Sequence, residues 1–349
     1  MTERTDYSDD IIELAIIVTP SFNSFATLGF IDPFRAANYL EGRRVFRWRL
    51  ISEQGGICVP SSGVGIETAA IQDLEGYTPK IVLISSSWTP EVYATKAIQS
   101  ATRRWRRQGA TIAGLDTGAF IMAQSGLLRN RRATVHYEHI DALKETYPET
   151  DVLEDLFVFD GPYLSCCGGT AAVDFALHIL RETSGQALAN AAARYIFHPA
   201  VRKLGAWQQP IDRDPFGATV PAIVRQVIQV MEQHLEDPLS IPEVCERVDL
   251  SQRQVDRLFA KHIRKSPALY YRDIRLDRAR GLVTQTDLKI SEIAVASGFA
   301  SPVHFSRAYK ARFGLSPVRD RVEGRVPFEF RAWPMYRKVQ SVLGDGEEA

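Results

Sequence analysis

Residues 110–128, ATIAGLDTGAFIMAQSGLL, decide how the first half of the chain folds. A short, mostly apolar run leads into Asp116-Thr117-Gly118, and an apolar stretch of helical length follows. This reads as a buried strand, 110–115, turning sharply into a helix, 119–128. Upstream, 11–18 (IIELAIIV) and 81–85 (IVLIS) have the unbroken, β-branched character of strands covered on both faces in a parallel sheet. The 45–52 stretch alternates, while 25–40 and 94–108 read as helices, the latter with four arginines around Trp105. Downstream, 133–136, 152–159 and 163–167 read as strands and 170–183 as a helix. Strands alternating with helices imply an α/β sandwich of the flavodoxin-like layered type, with ligands favoured at the carboxyl ends of the strands.

The junction at Asp116 is the most informative point of that half. Such a turn lifts one side chain over the sheet edge, beside converging backbone N–H groups at a helix N-terminus. In hydrolases that side chain is a nucleophilic Ser or Cys. Here it is a carboxylate, which cannot do that chemistry, and Thr117 has no evident base in the local sequence. Asp116 keeps two readings, an anchor for a cationic group and a helix cap.

At 349 residues, 45% hydrophobic and 24% charged, the chain is long enough for two or more globular domains, and its composition excludes disorder or coiled coil for the bulk. The formal net charge of zero hides an asymmetry. Residues 1–250 hold 23 basic and 31 acidic side chains, net −8; residues 251–325 hold 16 and 7, net +9; the rest hold 3 and 4, net −1. Positive charge concentrated in one quarter of a neutral chain is the footprint of a polyanion-binding module. Cys58, Cys166, Cys167 and Cys245 form neither a disulfide framework nor a zinc spacing, so neither metal nor cofactor is expected. The polar, acidic N-terminus and the lack of a bilayer-length apolar run predict a soluble cytoplasmic protein with no membrane partner.

The basic quarter contains one motif twice. Ser240-Ile-Pro-Glu243 and Ser251-Gln-Arg-Gln254 both have the form of capping boxes, and Val255, Leu258 and Phe259 share one face of the second helix. A shift of 49 pairs Ile241 with Ile290, Glu243 with Glu292 and Leu250 with Phe299. A shift of 50 then pairs Ser251 with Ser301, Val255 with Phe305, Arg257 with Arg307 and Ser266-Pro267 with Ser316-Pro317. Each copy has helix-turn-helix logic, in which the second helix is free to enter a major groove. Between them 267–285 reads as a single helix, roughly 28 Å long at about 1.5 Å per residue, which sets two recognition helices about one DNA turn apart. Outward candidates for base or phosphate contact are Gln252, Arg253, Gln254 and Arg257 on the first helix. Pro302, Val303, His304, Ser306, Arg307 and Lys310 are those on the second. Each charge has the plainer alternative of a solvated helix face.

Two resemblances rest on these residues. Residues 113–128 with 131–139 (RRATVHYEH) resemble the sensor half of GlxA-type regulators, a ThiJ/PfpI-like, amidotransferase-like domain spanning about 11–200. The catalytic members of that superfamily carry a cysteine at the position of Asp116 and a histidine matching His136. They also carry an acidic residue aligned with Ala26 and a glycine-rich turn aligned with 85–88 (SSSW). Three of those four features are missing, so the resemblance implies an inactive, ligand-sensing domain. It further implies an amino acid or a quaternary amine such as betaine or carnitine as effector. Asp116 would meet the ammonium group, Phe22, Phe25, Trp88 and Tyr137 would be aromatic walls worth about 0.5 to 2 kcal/mol each, and Thr117 and His136 would bond a carboxylate. The rival is an amidase- or hydratase-like enzyme fused to a DNA anchor.

The stretch 290–321 (ISEIAVASGFASPVHFSRAYKARFGLSPVRDR) is similar to the signature of the AraC/XylS DNA-binding domain, over about 220–322. Its departures are Tyr309, where phenylalanine is usual, and Val318-Arg319-Asp320 after the last proline. Together the resemblances imply an activator of a catabolic operon that binds promoter DNA and RNA polymerase as a homodimer. The expected organisation is a sensor at 10–205, a linker at 206–219, an all-α domain with two helix-turn-helix motifs at 220–322 and a tail at 323–349.

Overall fold

The structure, a computed structural model, describes residues 11–208 and 220–324. The chain divides between Gln208 and Gln209 into two compact units. The strands of the first unit are β1 (Ile12–Val18), β2 (Phe46–Ser52), β3 (Gln54–Cys58), β4 (Ile66–Ala70), β5 (Ile81–Ser86), β6 (Thr111–Asp116), β7 (Arg132–Ala133), β8 (Asp151–Val152), β9 (Phe157–Asp160) and β10 (Tyr163–Cys166). Its helices are α1 (Ser24–Leu40), α2 (Pro90–Tyr93), α3 (Lys96–Arg107), α4 (Gly118–Gln124), α5 (Ile140–Thr146), α6 (Ala171–Ser184) and α7 (Gln186–Tyr195).

Eight strands make one sheet in the order β3-β4-β2-β1-β5-β6-β10-β9. Its centre is parallel, as the apolar runs predict, with Ile16 of β1 in register with Leu50 and Leu83 on either side. Both edges depart from the parallel pattern, for β3 and β9 run antiparallel to β4 and β10. Both are hairpin returns, which need only a short turn where a parallel return needs a crossover. Because successive side chains face opposite ways, β1 feeds two cores. Leu14, Ile16 and Val18 pack with Phe30 and Phe34 of α1 and Phe175 of α6. Ala15 and Ile17 pack with Trp105 of α3 and Phe120 of α4. The result is a three-layer sandwich.

Two expected strands are not continuous. The 133–136 run keeps a two-residue ladder, β7 with β8, and the 152–159 run is interrupted between β8 and β9. The break has a physical cause: the backbone there bonds to 206–208 instead. Leu156 N donates to Ala206 O at 2.7 Å and Gln208 N to Glu154 O at 2.9 Å. The Gln208 amide also reaches Val135 O and Asp155 O. The first residues of the expected linker are therefore fixed to the sandwich, while 209–219 and the tail from 325 lie outside the described residues.

The second unit is helical: α8 (Ala222–Glu232), α9 (Ile241–Arg247), α10 (Gln252–His262), α11 (Pro267–Gln285), α12 (Ile290–Ala296), α13 (Pro302–Phe313) and α14 (Pro317–Gly324). It has two cores rather than one. Val224, Met231, Val244 and Phe259 pack on Tyr270 and Tyr271 from the start of α11. Ile293, Phe305 and Tyr309 pack on Leu276, Ala279, Leu282 and Val283 from its end. Those two sets lie on different faces of α11, roughly a third of a turn apart.

Candidate functional site

In the first unit the site forms where β6 ends. Asp116 adopts φ 60°, a left-handed conformation that costs a non-glycine residue of order 1–3 kcal/mol and is held only where surroundings enforce it. On one side of it Gly118 has no room for a side chain, since a Cβ there would stand 2.0 Å from Ile84 O, so only glycine lets α4 start so close to β5. Gly168, following β10, lies against the other side: a Cβ there would be 3.2 Å from that of Asp116.

The Asp116 carboxylate is 5% exposed and, among the described residues, accepts one hydrogen bond, from Asn23 Nδ2 at 3.1 Å. Burial raises its pKa to about 6, against the opposing pull of His136 and of the Asn23 bond. The neighbouring residues are hydroxyl-rich. Thr19 Oγ1 donates to Ser86 Oγ at 2.9 Å, Thr27 Oγ1 and Ser85 Oγ are hydrogen-bonded at 2.8 Å, and Thr117 Oγ1 donates to Ser87 O. His136 is joined to the strand end through its backbone N–H, which donates to Asp116 O at 3.3 Å. Its ring stacks at 4.5 Å on Tyr137. His139, buried next to it, is pushed down to about 3 by desolvation and stays neutral.

Asp116, Thr117 and His136 thus come together as the sequence suggests, but the aromatic wall is uneven. Tyr137 and Phe25 are 50% and 61% exposed. Trp88 is half-buried in the loop after β5. Phe22 differs: it has no exposed surface and belongs to the α1-side core, so it presents no face to a ligand. The Thr117 hydroxyl is fully buried and already donating. Sequence reasoning missed Asn23, which also caps α1 by accepting from Ala26 N, and it missed the Ser85–Ser87 hydroxyls. The Asn23 cap was legible locally; its contact with Asp116, 93 residues away, was not.

In the second unit both recognition helices begin as the capping chemistry dictates. Ser251 accepts from Gln254 N while Gln254 Oε1 receives Ser251 N at 2.8 Å, and Ser301 accepts from His304 N. The Gln254 carbonyl is therefore spent on the cap, leaving only its amide hydrogens for a partner. Gln252, Arg253, Arg257, Pro302, Val303, His304, Arg307 and Lys310 are exposed, and Ser306 is half-buried.

The basic residues sort into two groups. Arg280 pairs with Asp320, Arg312 with Asp273 and Asp277, Lys265 with Asp273, and Arg275 donates to Gly298 O. Arg253, Arg257, Arg307 and Lys310 make no ion pair among the described residues and stand on the outward faces of α10 and α13. Cations and donors without an ion-pair partner among the described residues, spread along the outward faces of two helices, can bind phosphates and base edges. Both departures from the family signature meet in one contact: the Tyr309 hydroxyl donates to Asp320 Oδ2 at 2.8 Å.

The family model of the helix-turn-helix domain matches residues 244–322, and that of the DJ-1/PfpI family matches 15–182. The HTH-type transcriptional regulator CdhR of Pseudomonas aeruginosa is 35% identical over 306 residues, covering 87% of this chain and 90% of its own. GlxA of Rhizobium meliloti is 34% identical over 311 residues, covering 89% and 95%. GbdR of Pseudomonas aeruginosa is 30% identical over 312 residues, covering 89% and 84%. All three relatives are HTH-type transcriptional regulators, and this chain is likewise a DNA-binding transcriptional regulator. With a DJ-1/PfpI unit followed by a doubled AraC-type helix-turn-helix unit, the chain belongs to the GlxA-type family of HTH transcriptional regulators.

Proposed function

We propose that this is a cytoplasmic, effector-responsive regulator that activates a catabolic operon. Its first unit holds a small amino acid or quaternary amine at Asp116, its second grips promoter DNA through α10 and α13, and it works as a homodimer that contacts RNA polymerase. The observation that carries the DNA half is the row of unpaired Arg253, Arg257, Arg307 and Lys310 on two capped helices whose other faces are core. For the effector half, Asp116 supplies a carboxylate with a single hydrogen bond among the described residues, beside His136, Tyr137 and Phe25. A ligand ammonium would compensate its desolvation. Ligand alters DNA occupancy only through a difference in its affinity for two states of the protein.

The test uses full-length protein and a duplex that it enriches from a randomised pool. Arg307→Ala weakens binding to that duplex by about 1–3 kcal/mol if Arg307 reads a base, with specificity relaxed at one position. Amino acids and methylated amines, added one at a time, should shift binding for the true effector class and also raise the melting temperature. Unchanged affinity for Arg307→Ala removes it from the interface, and no response to any cationic metabolite removes the effector assignment.

A further inference from the structure

The two helix-turn-helix motifs share α11 but not a core, since the hydrophobic clusters of the two halves are separate. A shared helix fixes the distance between motifs; by itself it leaves each free to rock about that helix. Two polar ties remove this freedom. Asp273 and Arg275 are two residues apart on α11, so their side chains leave on nearly opposite sides, about 200° apart.

On one side, Asp273 is buried and accepts from Lys265 Nζ at 2.6 Å and pairs with Arg312 NH1 at 2.9 Å. Lys265 lies in the turn leaving α10, and Arg312 lies in the last turn of α13. One carboxylate thus connects the exits of both recognition helices. On the other side, the Arg275 guanidinium stands 5.5 Å from the ring centre of Tyr271 and 4.7 Å from that of Phe299. It donates to Gly298 O at 2.8 Å. Tyr271 belongs to the first core and bonds His234 O, while Phe299 packs on the second. At the same seam a Cβ on Gly298 would lie 2.6 Å from Leu235 O, so the α12–α13 turn abuts the loop between α8 and α9.

We propose that Asp273 and Arg275 form a two-sided clamp that holds the recognition helices in one mutual orientation, making the protein a reader of two half-sites at a single fixed spacing. Both are positioning residues: they act through α10 and α13. The inference rests on the two-helix DNA reading proposed above. With the clamp intact, the second motif's contacts are available only when its half-site lies where the first motif presents it. One inserted base pair moves the second half-site by about 3.4 Å and turns it by roughly 35°, which a locked pair cannot follow.

The experiment compares full-length wild type with Arg275→Met and Asp273→Asn on three probes. These are the duplex enriched from the randomised pool, the same duplex with one base pair inserted between half-sites, and one with the α13 half-site scrambled. Wild type should lose at least about 10-fold on insertion, falling to the scrambled-probe affinity. Each clamp variant should show an insertion penalty reduced to about 2- to 3-fold, with affinity for the scrambled probe unchanged. That unchanged affinity also reports that the first motif is folded. An insertion penalty equal to wild type in both variants overturns the clamp. So does a wild type indifferent to the insertion, or a parallel loss on the scrambled probe, which would mean that the pair only sustains each motif's own fold. If wild type enriches no duplex at all, the DNA reading falls and the clamp with it.

Discussion

Asp116 shows how one residue can work against stability and still fit its place. Its carboxyl titrates near 6 in the folded protein against an ordinary value of 3.8, with burial as the main cause. Between those values the folded state keeps the proton and the unfolded chain releases it, so stability falls as pH rises from about 4 to about 6 and stays lowered above. Two pKa units correspond to about 3 kcal/mol. Asp116→Asn keeps an oxygen for Asn23 but removes the charge. It should stabilise the first unit by about 1–3 kcal/mol at pH 8 and by almost nothing at pH 4, read as melting temperatures at the two pH values. An equal effect at both would show that the carboxylate bears no desolvation cost. The same reasoning explains why Asp174 is tolerated with no exposure: it accepts from His198 Nε2, Arg202 N and Arg202 Nε, so its charge is fully compensated.

At the scale of elements, the β6–α4 junction is the most demanding. The strand ends in a left-handed aspartate, and α4 starts so near β5 that Gly118 has no room for a side chain. Gly118→Ala would force its Cβ onto the backbone oxygen of Ile84, and neither partner can yield without shifting strand or helix. The expected cost is at least about 3 kcal/mol, seen in urea unfolding of the first unit, with the second unit's transition unmoved. A loss below about 1 kcal/mol would mean that the junction is looser than its geometry. In the second unit, α11 carries two apolar faces in sequence, Tyr270 and Tyr271 first and Leu276 to Val283 after. It therefore has no single apolar stripe, although it is the helix on which both motifs depend. Its ends are legible all the same, from Ser266-Pro267 at the start, where Ser266 Oγ accepts from Leu269 N.

For the whole molecule, the division after Gln208 has a measurable consequence. Both cores of the sandwich are drawn from residues within 11–208, and both cores of the helical unit from 220–324. A fragment ending at 208 should fold alone, whereas one ending at 205 loses the Gln208 bonds to Thr134, Val135 and Asp155 and the Ala206 bond to Leu156. Four or so hydrogen bonds at about 1 kcal/mol each predict a markedly lower melting temperature for the shorter fragment. Equal melting temperatures would show that 206–208 merely rest on the sandwich.

Sequence alone determined what depends on neighbours a few residues apart. The strand–helix alternation around Asp116, the two serine-capped motifs, the helix between them and the outward cations all follow from periodicity and capping. Those signals are local and repeat along the chain. Tertiary structure decided what depends on residues brought together from afar. It withdrew Phe22 into the core, turned both sheet edges antiparallel and diverted the 152–159 run to pair with 206–208. It joined Asn23 to Asp116 and sorted the basic residues into those that hold the fold and those left free. A side chain's availability is set by which distant group reaches it first, and no spacing in one dimension carries that information.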